Sequence, residues 1–394
     1  MLPLENIKIL DLSRLAAGNM VSHMFADFGA DVVKVEKPGK GDDLRNWKIN
    51  GISHWWAVYS RNKRSISIDL KKDEGLALLK ELVKSADVFI ENFVPGTLEK
   101  WGIGPEQLNE LNKKLIILRI SGWGQTGIFK NAPGFGSLVE GMSGFAAMTG
   151  EEKQAPLLPP LALADMVAGL TGFGAILMAI LTSKKDNTGG QVIDLSLFEP
   201  FFSILGPWAA SYKISGKVPE RIGNRSNVAA PRGIYKTKDN KYVSLSASMQ
   251  SMWEKLALTI GSSDLIKDPR FLTNSDRLNN QDDLDKPISK FIKKYSREEV
   301  LNIFSKEGIT VGPVLDISEI IEHPYIQDRE VLIDHYNKEY GNVLMHQAFP
   351  RLSKTPGKIR HSAPSLGGDT DLVLKEIGIS EKQIQMLRKN KIIN

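Results

Sequence analysis

Asp165 is the only charged residue between Lys153 and Lys184, in a stretch otherwise made of Leu, Ala, Met, Pro, Gly and a few polar groups. A carboxylate taken out of water is costly, so an isolated Asp in such a setting caps a helix, pairs with a cation or does chemistry. From the residues alone two readings stand. Asp directly before an apolar helical run is a common N-cap. The same oxygen is also a covalent nucleophile for an activated acyl group, giving an anhydride or a thioester. The two are compatible, because helix N–H groups keep a neighbouring carboxylate ionised and Gly169 would leave room for a ligand.

Other chemistries are disfavoured by what the chain lacks. There is no Cys, which excludes thiolate nucleophiles, thiolate metal sites and disulfides and fits a reducing compartment or a hot one. The six histidines, at 23, 54, 323, 335, 346 and 361, show no metal-ligand spacing, so no metal is expected. No G-x-S-x-G elbow is present. The segment LAAGN, residues 15–19, lies where a dinucleotide fold places G-x-G-x-x-G but lacks the glycine triplet; its helix start can still contact a ligand. GWGQTG, residues 122–127, follows a strand but lacks the Lys-Ser/Thr ending of a P-loop. Carboxylates remain as the reactive groups.

Basic residues cluster near predicted strand ends: Lys34, Lys37 and Lys40, then Arg61, Lys63, Arg64, Lys71 and Lys72, then Lys100. A ligand with several phosphates suits this distribution, although charge pattern alone favours a solvated rim. The formal charge of +5 fits acidic partners. Acids are interleaved throughout, as in DLKKDEGLALLKELVK, and no aromatic-studded basic face appears. A small phosphorylated or carboxylate ligand is therefore expected, and nucleic acid is not.

The elements that must position these groups alternate. Ile7–Leu12 reads as strand, Asn19–Phe28 as helix and Asp31–Val35 as strand. A second unit comes next, with strand at Ser65–Leu70, helix at Asp73–Ala86, and strands at Val88–Glu91 and Leu115–Ile120. Repeated βαβ units imply a parallel sheet wrapped by helices, an α/β fold. QVIDLSLFEPFFSILG completes this lobe, and a smaller α+β lobe begins near GNRSNVAAPRG, with a hairpin around Asp239-Asn240 and a capping box at Ser296–Glu299. The uncharged run Met166–Thr182 reaches the short end of membrane-spanning length, but its three glycines, two threonines and missing Trp or Tyr anchors predict a buried core helix. No membrane partner is expected. The start, MLPLENIKILDLSR, does not read as a secretory signal, and the expected location is cytoplasmic.

Taken in order, ILDLSRLAAG, GADVVKVEKPGKGDDLR, NKRSISIDLK, DVFIENFVPGTLEKWG, ISGWGQTG, LALADMVAG, DLSLFE, GITVGPVLDISEII and APSLGGDTDLVLKEIG resemble the class III CoA-transferase family, also called CaiB/BaiF. This family includes formyl-CoA transferases and related acyl-CoA racemases. The resemblance implies a large Rossmann-like CoA-binding domain built from residues 1–220 and 331–394, a small domain over 221–330, and an interlocked homodimer. It also implies that Asp165 attacks an acyl-CoA such as succinyl-CoA, passing through an aspartyl anhydride and an aspartyl-CoA thioester before CoA moves to a carboxylic acid. Coenzyme A is then substrate rather than resident cofactor, and neither ATP nor metal is needed.

Leu15, Ala16, Ala17, Lys37, Ile68, Lys71, Asn92, Phe93 and Lys100 match positions along the family's nucleotide and pantetheine path. Lys100 stands where Arg is frequent, keeping charge without the bidentate fork. Pro133 stands where formyl-CoA transferases can carry Lys. Racemases of the family carry a G-H-D block; here Phe135 and Gly136 stand at its His and Asp. A two-base racemisation thus loses a partner, which leaves a 2-methylacyl-CoA racemase or epimerase as the alternative activity. The wording PGFGSLVEGMSG looks closer to transferases of dicarboxylic, branched or aryl-substituted acids than to oxalate-specific ones.

Overall fold

Short, nearly uninterrupted apolar runs such as VFIE and IILRIS form strands whose successive residues are nearly all buried, as a parallel sheet covered on both faces requires. The structure is a computed structural model describing residues 1–186 and 188–394. In chain order the first part comprises β1 (Lys8–Asp11), α1 (Leu15–Asp27), β2 (Asp31–Glu36), α2 (His54–Tyr59), β3 (Arg64–Ser67), α3 (Asp73–Val83), β4 (Val88–Glu91), α4 (Thr97–Lys100), α5 (Pro105–Leu111), β5 (Ile116–Ser121), α6 (Gly136–Met142), α7 (Phe145–Met148), α8 (Leu163–Asp186) and β6 (Val192–Ser196). The six strands are parallel in the order β3-β2-β1-β4-β5-β6. Chain direction across the sheet reverses between β1 and β4, which opens a crevice at their carboxyl ends, the usual ligand position in such sheets.

The chain divides into two units. The first contains 1–144, 159–207 and 327–394. Its core joins Leu10, Val33, Ile66, Leu79 and Phe89 to Val373, Leu374, Ile384 and Leu387 from the C-terminal helices, so the tail completes the sheet's cover. The second contains 145–158 and 208–326 and is built on an antiparallel sheet of β7 (Arg232–Lys236), β8 (Tyr242–Ser246) and β9 (Val311–Pro313). Trp253, Phe271, Ile288, Val300 and Phe304 form its core. The hairpin turns at Asn240, which takes a left-handed φ of 62°, and Ser296 caps its helix reciprocally with Glu299. Residues 145–158 pack in this second unit rather than in the large first segment: Arg221 donates to the carbonyls of Ala147, Glu151, Glu152 and Gln154 and holds the segment in place. An antiparallel hairpin that the sequence did not reveal, β10 (Leu332–Asn337) with β11 (Gly341–His346), belongs to the first unit.

Two helices of the first unit, α1 and α8, pack directly on each other. α1 begins at Leu15, four residues before the expected start, so LAAG is its first turn rather than a loop. α8 crosses it closely: a β-carbon on Gly169 would lie 2.6 Å from the Met20 β-carbon, and one on Gly172 would lie 3.0 Å from Val21. By length and composition α8 is the one helix among the described residues able to cross a membrane. Its inner face, with Ala164, Ala168, Ile176, Ala179 and Ile180, is buried against protein, while Met178 and Leu181 are 65% and 67% exposed.

Candidate active site

The site is built on the amino end of α1. Leu15 adopts φ 61°, a left-handed conformation that costs a non-glycine residue about 1–3 kcal/mol unless its surroundings enforce it. They do so here. The Leu15 N–H donates to Asp42 Oδ1 at 2.9 Å, and the Asn19 amide donates to the Leu15 carbonyl and to Asp42 Oδ2, both at 2.7 Å. Beneath them Lys34 sits 3.1 Å from Asp42 and 3.2 Å from Asp11, while Lys63 donates to Asn19 Oδ1 at 2.9 Å. Burial opposes the charges of Asp11 and Lys34, but their mutual attraction prevails, holding the Asp11 carboxyl low and the Lys34 amine high. Lys63 has weaker compensation, and burial pushes it down to about 7.

This scaffold corrects the reading of the basic rim. Lys34 and Lys63 are buried structural amines, and Arg61 is a buried structural cation, gripping Asp27 at 2.6 Å. Arg64 is divided between Asp31 and Glu376. A lysine on a buried strand looks in sequence like one on a rim; only the partner on another strand distinguishes them.

Asp165 lies in the first turn of α8, two residues beyond the helix start at Leu163, and is therefore not the N-cap that its sequence position suggested. The capping contact comes from Glu140 on α6, whose Oε1 accepts from the Ala164 N–H at 3.1 Å. Asp165 is half-buried, and the backbone N–H groups of Ala17, at the start of α1, and of Asp165 itself favour its ionised form. Burial, then the Glu140 charge, push its carboxyl up to about 6 against these two N–H groups. It is thus ionised at neutral pH yet more basic than an ordinary carboxylate.

Glycines set the approach. A β-carbon on Gly136 would overlap the Asp165 carboxylate. The amino end of α6 is fixed by a backbone crossing, since a β-carbon on Gly122 would lie 2.5 Å from the Gly134 α-carbon, and by a Trp123 indole bond to the Pro133 carbonyl at 2.9 Å. The first glycine of GWGQTG therefore serves packing. Gly169 likewise makes room for α1 and not for a ligand.

A cavity of about 370 Å³ opens at the carboxyl ends of β1 to β4. Of the residues singled out for CoA, Lys37, Ile68, Lys71 and Phe93 line it, together with Arg14, Lys40, Thr97 and Trp101. Leu15, Ala16, Ala17, Asn92 and Lys100 do not. Asn92 instead exchanges two hydrogen bonds with the Arg14 backbone, at 2.8 and 2.7 Å, and Lys100 ends α4 in an exposed position. Arg14, overlooked in the sequence, stacks over the Phe93 ring at 5.5 Å. Glu140, dismissed in the sequence as a substitute for the missing racemase base, was given no other role there, although it is the only charged residue between Lys130 and Glu151, the same isolation that marks Asp165.

A parallel sheet in this order, with a lysine-bearing crevice at its switch point and a half-buried carboxylate beside a helix terminus, defines an α/β protein with a ligand crevice at the carboxyl ends of its strands. The chain belongs to CoA-transferase family III, whose sequence pattern it matches over residues 4–370. It is accordingly a CoA-transferase, taking CoA thioesters as substrates. It is 35% identical to succinyl-CoA–D-citramalate CoA-transferase of Chloroflexus aurantiacus over 99% of this chain and 98% of that one. With human succinyl-CoA:glutarate CoA-transferase it shares 32% identity over 95% of this chain and 86% of that one. A crystal structure of a CaiB/BaiF family protein from Brucella suis superposes with a TM-score of 0.84 at 32% identity, covering 95% of this chain and 99% of the other.

Proposed function

We propose that this enzyme moves CoA from succinyl-CoA to a small dicarboxylic acid, with Asp165 as the covalent relay. The observation that carries the reading is the Asp165 carboxylate itself, held at the start of α1 against Gly136 with its carboxyl at about 6. The choice of donor and acceptor is supported by relatives named for succinyl-CoA with citramalate, malate or glutarate, each a dicarboxylate.

The carboxylate adds to the thioester carbonyl and expels CoA thiolate, leaving an aspartyl mixed anhydride. The thiolate then attacks the aspartyl carbonyl of that anhydride, which releases succinate and leaves an aspartyl-CoA thioester. An acceptor carboxylate displaces CoA to form a second anhydride. Returning thiolate attacks the acceptor's carbonyl, yielding the new acyl-CoA and free Asp165. Each step exchanges one activated acyl bond for another, so no external energy source enters. The Ala17 N–H, beside the Asp165 carboxyl, would stabilise the oxyanion that forms on the aspartyl carbonyl when thiolate or acceptor carboxylate attacks it.

The β1–β4 cavity is the proposed seat of the nucleotide end of CoA, with Lys37 and Lys71 facing phosphate. Arg14, the N-cap residue of α1, lines this cavity, and Ala17, in the first turn of α1, lies beside the nucleophile. The exposed outer face of α8, with Leu170, Met178 and Leu181, supports self-association of two chains. Reaction with succinyl-CoA in the absence of acceptor, followed by borohydride or hydroxylamine trapping and peptide mass spectrometry, should mark Asp165. Full turnover by Asp165→Ala would overturn the reading.

A further inference from the structure

Glu140 is a buried acid with no cationic partner among the described residues, set one helical turn beyond Gly136 on the face of α6 that meets α8. Its Oε1 reaches the Ala164 N–H at 3.1 Å, immediately before the nucleophile in the chain. An α-helix leaves its first N–H groups without internal partners, and a carboxylate there is favoured by the helix dipole. Capping alone, however, asks only for an oxygen, which Ser, Thr or Asn supplies without burying a charge. The buried charge needs its own explanation.

We propose that Glu140 is a positioning residue for CoA transfer: it fixes the first turn of α8, and its fixed negative charge makes the neighbouring Asp165 carboxylate a stronger nucleophile. The inference rests on Asp165 being the acyl acceptor. Repulsion between two carboxylates raises the energy of the ionised resting enzyme. Acylation converts Asp165 into a neutral anhydride or thioester and removes that repulsion, so the charge favours the covalent state. The elements packed on α8 carry few other charges that could do this. On α1, His23 and Asp27 lie towards the opposite end, with Asp27 held by Arg61. On β5, Arg119 is engaged by Glu91 and Glu99; on β6, Asp194 accepts from the Gln125 N–H; on the helix Phe198–Ser203, Glu199 accepts from the Ser196 hydroxyl. Among the described residues Glu140 is the only charged side chain that acts appreciably on Asp165, and it reinforces the upward push of burial.

The decisive variants separate cap from charge. Glu140→Gln keeps an oxygen for the Ala164 N–H and removes the charge, whereas Glu140→Leu removes both. In Glu140→Gln the melting temperature should hold while the acid limb of kcat/KM for succinyl-CoA moves down by about one pH unit, with a loss of less than about tenfold above pH 7. Glu140→Leu should show the same displaced limb with a lowered melting temperature. A Glu140→Gln enzyme whose acid limb stays in place would overturn the proposal, as would one that is folded but wholly inactive, since Glu140 would then be moving a proton itself. Trapping in the parent enzyme tests the nucleophile separately: label absent from Asp165 would remove that reading and this inference together, while label present with an unmoved limb removes this inference alone.

Discussion

Gly136 and Asp165 touch through the one atom a glycine lacks: the carboxylate occupies the space that any β-carbon at 136 would fill. Gly136→Ala therefore must push the nucleophile aside. Alanine favours a helix over glycine by about 1 kcal/mol, so the variant should fold normally. Displacing a reacting group by an ångström costs on the order of 100-fold in rate. Steady-state kinetics should show that loss in kcat with little change in melting temperature, and an unaffected kcat would show that Asp165 has latitude the packing denies.

Activity should depend on pH through Asp165, rising as the solution passes about 6, because the nucleophile must be ionised. Its folded carboxyl lies above the ordinary value of 3.8, so the folded chain holds this proton more tightly than the unfolded chain. The associated stability is complete below about pH 4 and is lost as pH rises through 6. Asp165→Asn should thus be more stable than the parent at pH 8, by about 1–2 kcal/mol after allowance for partial exposure, and show no such gain at pH 4. Denaturant titrations at the two pH values measure both.

Lys63 predicts the opposite window. Its amine falls from 10.5 unfolded to about 7 folded, so between those values the unfolded chain carries a proton the folded chain has released. Stability should then rise with pH across this range, by up to about 1.4 kcal/mol per pH unit from this group. Lys63→Met should flatten the rise between pH 7.5 and 9.5. Parallel slopes in the two proteins would show that Lys63 keeps its proton through partners such as Asp11 and Asn19.

Within the β1–β4 cavity, Lys37→Ala and Lys71→Ala should raise KM for acyl-CoA several-fold each, with kcat nearly constant and the effect shrinking as salt is added. Lys100→Ala should change little, since Lys100 does not line the cavity. A larger effect at Lys100 than at Lys71 would place the phosphates elsewhere.

Much of the sheet was legible because parallel strands between two helical layers must be apolar nearly throughout, and the helix Asp73–Val83 announced itself by acids at its start and Lys80 at its end. The start of α1 was not legible. Its left-handed Leu15 is enforced by Asp42, which lies on another loop, and no local preference of LAAGN encodes that contact. The hairpin β10–β11 escaped notice because LIDHYN lacks clean alternation and pairs in a half-exposed setting.

Asp165 stood out in sequence for a simple reason: a lone charge in an apolar run needs an explanation whatever the fold, and the ordered blocks around it marked the family. Glu140 carried the same signal. What sequence could not decide was that Glu140, and not Asp165, caps α8, because that contact joins α6 to α8 across 24 residues of chain. Nor could it separate the lysines that line the cavity from those sealed beneath α1. Burial and pairing are properties of segments brought together from distant parts of the chain, and it is burial, with Glu140 and the α1 terminus, that sets the basicity of Asp165.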